Sequence, residues 1–147
     1  MTLNPLFRET MRAAALGKSD EANRLYDQIP EPEISHYNMF IVAFFAVCLE
    51  VRFKDDQSFT AIKQFATEMQ YDYRNAEPPV KQLVIEGIIR AMMGEEDLIQ
   101  EISPADQHRT QLLAIRKIVA QSPEMQIDLA PFLADAEGLA AQWAQAE

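Results

Sequence analysis

Glu33 and His36 stand in the spacing Glu-x-x-His, which on a helix projects a carboxylate and an imidazole from one face toward a metal ion. A carboxylate-bridged metal pair in a helical bundle needs two such motifs and two further glutamates, whereas this chain has a single motif that begins beside Pro32. Asp106 and His108 are close in sequence but point different ways on a helix, so both histidines read as solvated helix residues. Cys48, the one cysteine, would need an accessible, electropositive setting to act as a nucleophile beside His108. It lies instead between Val47 and Leu49 in the most apolar stretch of an acidic chain, which predicts a buried, reduced thiol. Glu50 and Glu86 could meet in a common cleft, where like-charge repulsion and burial would raise at least one pKa, but each reads more simply as the polar edge of an amphipathic helix. The chain has no Gly-rich phosphate loop, HExxH, cysteine pair, Gly-x-Ser-x-Gly or calcium-loop pattern. No catalytic residue, metal or cofactor is assigned from the sequence.

The elements that must position these groups belong to a chain of 147 residues, the usual size of one domain, long enough to bury a core without disulfides or metal. Residues 1–147 are read as a single helical domain. Thirteen Lys and Arg face 23 Asp and Glu, a formal net charge of -10. Such a surface repels phosphate backbones, because nucleic-acid binders need clustered cations to release counterions, so neither nucleic acid nor an anionic membrane is expected as a partner. The imbalance grows toward the end: Lys117 is the last basic residue, and Glu124, Asp128, Asp135, Glu137 and Glu147 follow it. With a lone buried cysteine and no basic leader followed by an apolar stretch and cleavage site in "MTLNPLFRETMRAAALGKSDEAN", the expected location is the cytoplasm.

Helix signals run the length of the chain. Asn4 and Pro5 form an N-cap and first helical position, and Gly17 suits the end of that helix. Ser19 starts a second helix, with Ala22, Leu25, Tyr26 and Ile29 inward, and Pro30 and Pro32 stop it. "HYNMFIVAFFAVCLEVRF" supplies a third, Ser35 to Arg52. Its uninterrupted apolar run from Met39 to Leu49 is about half the roughly 20 residues needed to cross a bilayer, and it is expected to be the central helix. A fourth helix begins near Asp56, with Phe59, Ile62, Phe65, Ala66 and Met69 at helical spacing. A fifth starts at Glu77, Pro78 and Pro79 and turns Leu83, Val84, Gly87, Ile88, Ala91 and Met92 inward, Gly87 allowing close approach of the third helix. "EEDLIQEI" is a short acidic helix, Ser103 and Pro104 open a long one, and Asp128 caps a last one carrying Leu129, Phe132, Leu133 and Trp143. No run shows the period-two alternation of a strand. The fold class is all-α, with about six to eight helices in an orthogonal or irregular bundle or a short stack of antiparallel hairpins.

Gly17, Ala22 and Tyr26 have the same spacing as Asp56, Ala61 and Phe65. A small inward residue lets a neighbouring helix approach, and an aromatic one turn later fills the groove beside it. The pattern resembles the second half of a tetratricopeptide-type repeat, over the first half of the chain at most; the first-helix tryptophan, leucine-glycine and tyrosine of that family are absent. The resemblance implies stacked helical hairpins with a concave peptide-binding side.

The expected function is a noncatalytic, acidic protein-interaction module that binds a basic protein or peptide. Its expected contacts are Tyr71, Tyr73 and Arg74 as an aromatic anchor, with Glu124, Asp128, Asp135 and Trp143 on the later helices. The alternative is a small helical enzyme or apolar-ligand binder with a pocket between the third and fifth helices, lined by Met39, Phe44, Cys48, Glu50, Glu86, Met92 and Met93. A homodimer covering Trp143 is a further expectation.

Overall fold

A computed structural model describes residues 3–146, and among these it has eight α-helices and no strand. They are α1 (Pro5–Ala15), α2 (Ser19–Tyr26), α3 (Ile34–Arg52), α4 (Phe59–Asp72), α5 (Gln82–Met92), α6 (Pro104–Gln121), α7 (Pro123–Ile127) and α8 (Ala130–Ala146). Single turns of 3-10 helix at Glu31–Glu33 and Glu96–Ile99 lead into α3 and follow α5.

Most boundaries are set by local hydrogen bonds that satisfy the otherwise unpaired amides of a first helical turn. The Asn4 side chain accepts from Leu6 N at 2.9 Å, Ser58 from Ala61 N at 3.2 Å, Ser103 from Asp106 N at 3.2 Å and Asp128 from Ala130 N at 3.1 Å. Ser122 accepts from Met125 N at 3.3 Å and opens α7, a short helix that the sequence reading passes over as a connector. At the end of α1, Gly17 takes a φ of 78° and Lys18 N donates to Ala13 O at 2.8 Å, folding α2 back onto α1.

α3 is the central element. With the turn before it, it is long and apolar enough by length and composition to cross a bilayer, a longer stretch than the Met39–Leu49 run alone. In this fold Phe40, Ile41, Phe44, Phe45, Val47, Cys48 and Leu49 are buried, and α3 packs against α8, α6 and α1. Phe7 and Met11 from α1, Phe65 and Met69 from α4, Ile85 and Ile89 from α5, Ile115 and Val119 from α6, and Leu133 and Ala136 from α8 join the same contiguous core. The last helix thus closes onto the third. A run of stacked hairpins would pair sequential neighbours throughout; here α1 pairs with α2 and α4 with α5, but α3 packs with α6 and α8, which makes an irregular bundle.

Several expected placements change. α5 starts at Gln82, and residues 78–80 are a non-helical connection: Val80 is buried in the core, its carbonyl accepts from Gln70 Nε2 at 3.4 Å, and Arg109 Nη2 donates to Pro78 O at 2.7 Å. The helix then buries Ile85, Ile88 and Ile89, leaving Leu83 81% exposed. Two adjacent rows of α5 are apolar, and the row bearing the isoleucines faces the core. Phe59, expected inward, is at the first position of α4 and is 52% exposed; the Arg90 guanidinium covers its ring at 5.0 Å. Gly87 admits the segment after α5 instead of α3, since a Cβ there would lie 3.2 Å from Ile102 Cδ1.

Candidate functional site

Two surface regions combine exposed or half-exposed aromatic groups with unusual charge, and α6 contributes to both.

The first region is acidic and aromatic. Tyr71, near the end of α4, is 65% exposed, and the Arg74 guanidinium lies 4.3 Å from its ring centroid while donating to Tyr71 O at 3.0 Å. This stack holds both side chains on the surface. Tyr73 turns the other way: its hydroxyl donates to Leu113 O at 3.2 Å, and burial raises its pKa. Two cations of the same region, Lys117 and Arg52, are paired with carboxylates. Lys117 is buried, bonded to Asp72 and 3.7 Å from Glu68, with its ammonium 5.7 Å from the Phe65 ring centroid. Arg52 lies 3.8 Å from Glu68 and 5.3 Å from the Phe65 ring centroid.

Arg52 also lines a shallow cleft of about 240 Å³ with Gln121, Pro123 and Glu124. Glu124 therefore stands near the same ion-pair network that includes Asp72, the residue after Tyr71. Glu124, Asp128 and Asp135 are exposed, and Ile127 projects between the first two with 85% of its surface in solvent. Glu137 pairs with Arg8. Trp143 is half-buried against the core, and Glu147 lies outside the described residues.

The second region is a cleft of about 320 Å³ between α1, α2, α3 and α6. Its floor is Tyr37 and Ile41, and its walls include Ala14, Ala22, Leu112 and Leu113. Tyr26, expected inward, stands half-exposed at the edge with its ring centroid 5.9 Å from that of Tyr37. Asn23 and Ser19 come from α2, His108 and Arg116 from α6. His108 is half-buried here instead of solvated, and burial lowers its pKa. Burial, and then the neighbouring Tyr26, raises the pKa of Tyr37, so its hydroxyl stays protonated. The Arg116 guanidinium lies across the α1–α2 turn, where a Cβ on Gly17 would come within 2.9 Å of its Nη2. Gly17 is required for its positive φ, and the exposed Arg116 side chain fills the space beside it. A second hollow of about 450 Å³ shares Tyr26 and His108 and continues past Asn38 and Gln111.

The residues of the alternative pocket are dispersed. Phe44 and Cys48 are fully buried core side chains, Met39 and Met92 are half-buried, and Glu50 and Met93 are exposed. Glu86 is buried on α5, one turn before Arg90. Burial raises the pKa of Cys48, which keeps it a thiol at neutral pH. His36 is exposed, and Glu33 accepts from Asn4 Nδ2 at 3.4 Å. Among the described residues no group of three or more His, Cys, Asp or Glu side chains is placed to hold a metal ion.

The second region escapes a sequence reading because its residues come from four helices. Only Gly17 with a distant arginine could have hinted at it, and nothing in the spacing links positions 17 and 116. The chain matches no protein-family model, no curated protein and no solved structure.

Proposed function

We propose that the chain is a noncatalytic, cytoplasmic protein-interaction module whose acid-rich surface receives a basic segment of a partner protein. The observation that carries this reading is the α7–α8 junction, where the largely exposed Ile127 stands between the exposed carboxylates Glu124 and Asp128, and no Lys or Arg follows Lys117 in the chain. An apolar tooth ringed by like charges suits a partner that offers a small apolar socket rimmed by Lys or Arg. The socket would supply affinity, and the rim charges would raise the association rate and set the orientation.

Two further features support the reading. Tyr71 with Arg74 forms a stacked anchor at the edge of the same ion-pair network, and Tyr and Arg are the side chains most often found at energetic centres of interfaces. The nearby cations Arg52 and Lys117 already have carboxylate partners, so they do not offset Glu124, Asp128 and Asp135.

The test is quantitative co-purification from native extract with the wild type and with a triple variant, Glu124→Gln, Ile127→Ser and Asp128→Asn, which keeps a capping side chain at position 128. The expected result is a basic partner retained by the wild type, released by raised salt and lost by the variant. Recovery of the same partners by both proteins, or of none by either, contradicts the proposal.

A further inference from the structure

We infer that the cleft between α1, α2, α3 and α6 is a binding site for a small organic anion, a monocarboxylate with a flat apolar body. The inference is independent of the acid-rich surface. It rests on a contrast of charge: in a chain with 23 acidic residues against 13 basic ones, no Asp or Glu lines this cleft or the hollow joined to it. The charged lining group is Arg116, which pairs with no carboxylate among the described residues.

Arg116 is also positioned. Its guanidinium lies against the α1–α2 turn in the space that a side chain at position 17 would fill, which places a planar fork of donors at the edge of the cleft. A carboxylate matches that fork with two parallel hydrogen bonds. Asn23 and Ser19, on the wall supplied by α2, offer further donors. The apolar body has its own surface: Tyr37 and Ile41 form a floor, and Tyr26, half-exposed at the edge, gives an aromatic face. A volume of about 320 Å³ is at the small end of ligand sites, which fits a one- or two-ring acid.

The net negative charge of the protein works against an anion at long range, but salt screens that field over about 10 Å at 0.1 M. Direct pairing with Arg116 acts inside that distance. The anion is therefore held by contact with Arg116 and not drawn in by the field of the whole protein.

Naphthalene-2-carboxylate and its neutral carboxamide are the probes, titrated into the full chain at about pH 8 and about 0.15 M salt, where His108 is uncharged and Arg116 carries the charge. Binding is read by calorimetry and by backbone amide shifts. The expected result is saturable binding of the carboxylate at least about tenfold tighter than the carboxamide, with the largest shifts at Ala22, Asn23, Ile41 and Leu112. Arg116→Gln abolishes the preference and Arg116→Lys restores part of it, both with an unchanged thermal midpoint, since the side chain is exposed. Equal binding of the two probes, shifts centred elsewhere, no saturable binding, or a preference that survives Arg116→Gln overturns the inference.

Discussion

Lys117 and Arg116 are consecutive residues of α6, yet the first is buried beside Asp72 and Glu68, and the second lies over the α1–α2 turn without a described carboxylate partner. A step of about 100° around the helix separates them, and it separates two regions of opposite character. On the Lys117 side, acidic residues outnumber cations, and Lys117 and Arg52 are paired. On the Arg116 side, one guanidinium faces a cleft from which acidic side chains are missing. A net charge of -10 describes neither place well. What a charge can do here depends on whether the fold has already given it a partner.

The largest effect is expected from breaking the paired side. Lys117→Ala removes a buried ammonium and its contact with Phe65, and leaves Asp72 and Glu68 facing each other without it. A loss of about 2–3 kcal/mol in urea unfolding is expected, below the full cost of breaking a buried pair because both carboxylates are partly in solvent. Lys117→Met keeps the apolar stem and should recover most of that loss. If Lys117→Ala unfolds like the wild type, the network is not structural.

Next comes the entry to the acid-rich helix. Asp128→Ala should cost about 1 kcal/mol through loss of the cap on Ala130 N, and Asp128→Asn should cost much less while still removing a charge. Comparing the two variants by thermal unfolding and by partner retention separates the cap from the carboxylate. Partner loss in the Ala variant alone would assign the effect to folding.

A smaller effect is expected on the cleft side, through pH. Burial lowers the pKa of His108, so the folded protein takes up a proton there less readily than the unfolded chain does. The stability this contributes is present above the unfolded value of about 6.5 and is lost as pH falls through the lower folded value. The wild type should therefore lose more thermal stability than His108→Gln on going from about pH 7.5 to about pH 5; parallel curves would place the imidazole in open solvent. The smallest change in stability, within about 0.5 kcal/mol, is expected from Arg116→Gln, an exposed residue with no ion pair among the described residues.

The sequence makes the scaffold legible where structure is decided locally. Asn4-Pro5 and Ser103-Pro104 mark helix starts because cap and amide are three residues apart or less, and Asp128 does the same for α8. Ser122-Pro123 carries the same signature but opens only five residues, too few for a hydrophobic period to register. The third helix is evident from composition. The phase of α5 is not, because Leu83, Val84, Ile85, Ile88, Ile89 and Met92 give two overlapping apolar rows, and contact with α4 and α6 decides which one is buried. Tyr71 and Tyr73 both read as exposed from their place at a helix end, yet only Tyr71 is; Tyr73, two residues on, is drawn to a carbonyl of α6 that no spacing rule reveals. The cleft is the least legible part. It exists because Gly17 bends α2 back under Arg116, and that meeting spans most of the chain.

The opposition between the two faces of α6 is tested most directly by one amide-shift experiment on isotopically labelled wild-type protein, titrated separately with naphthalene-2-carboxylate and with a short Lys- and Leu-containing peptide. The account predicts two separate footprints: the anion moves Ala22, Asn23, Ile41 and Leu112, and the cationic peptide moves Tyr71, Glu124, Ile127 and Asp128. A shared footprint, exchanged footprints, or shifts spread evenly over the surface would contradict it.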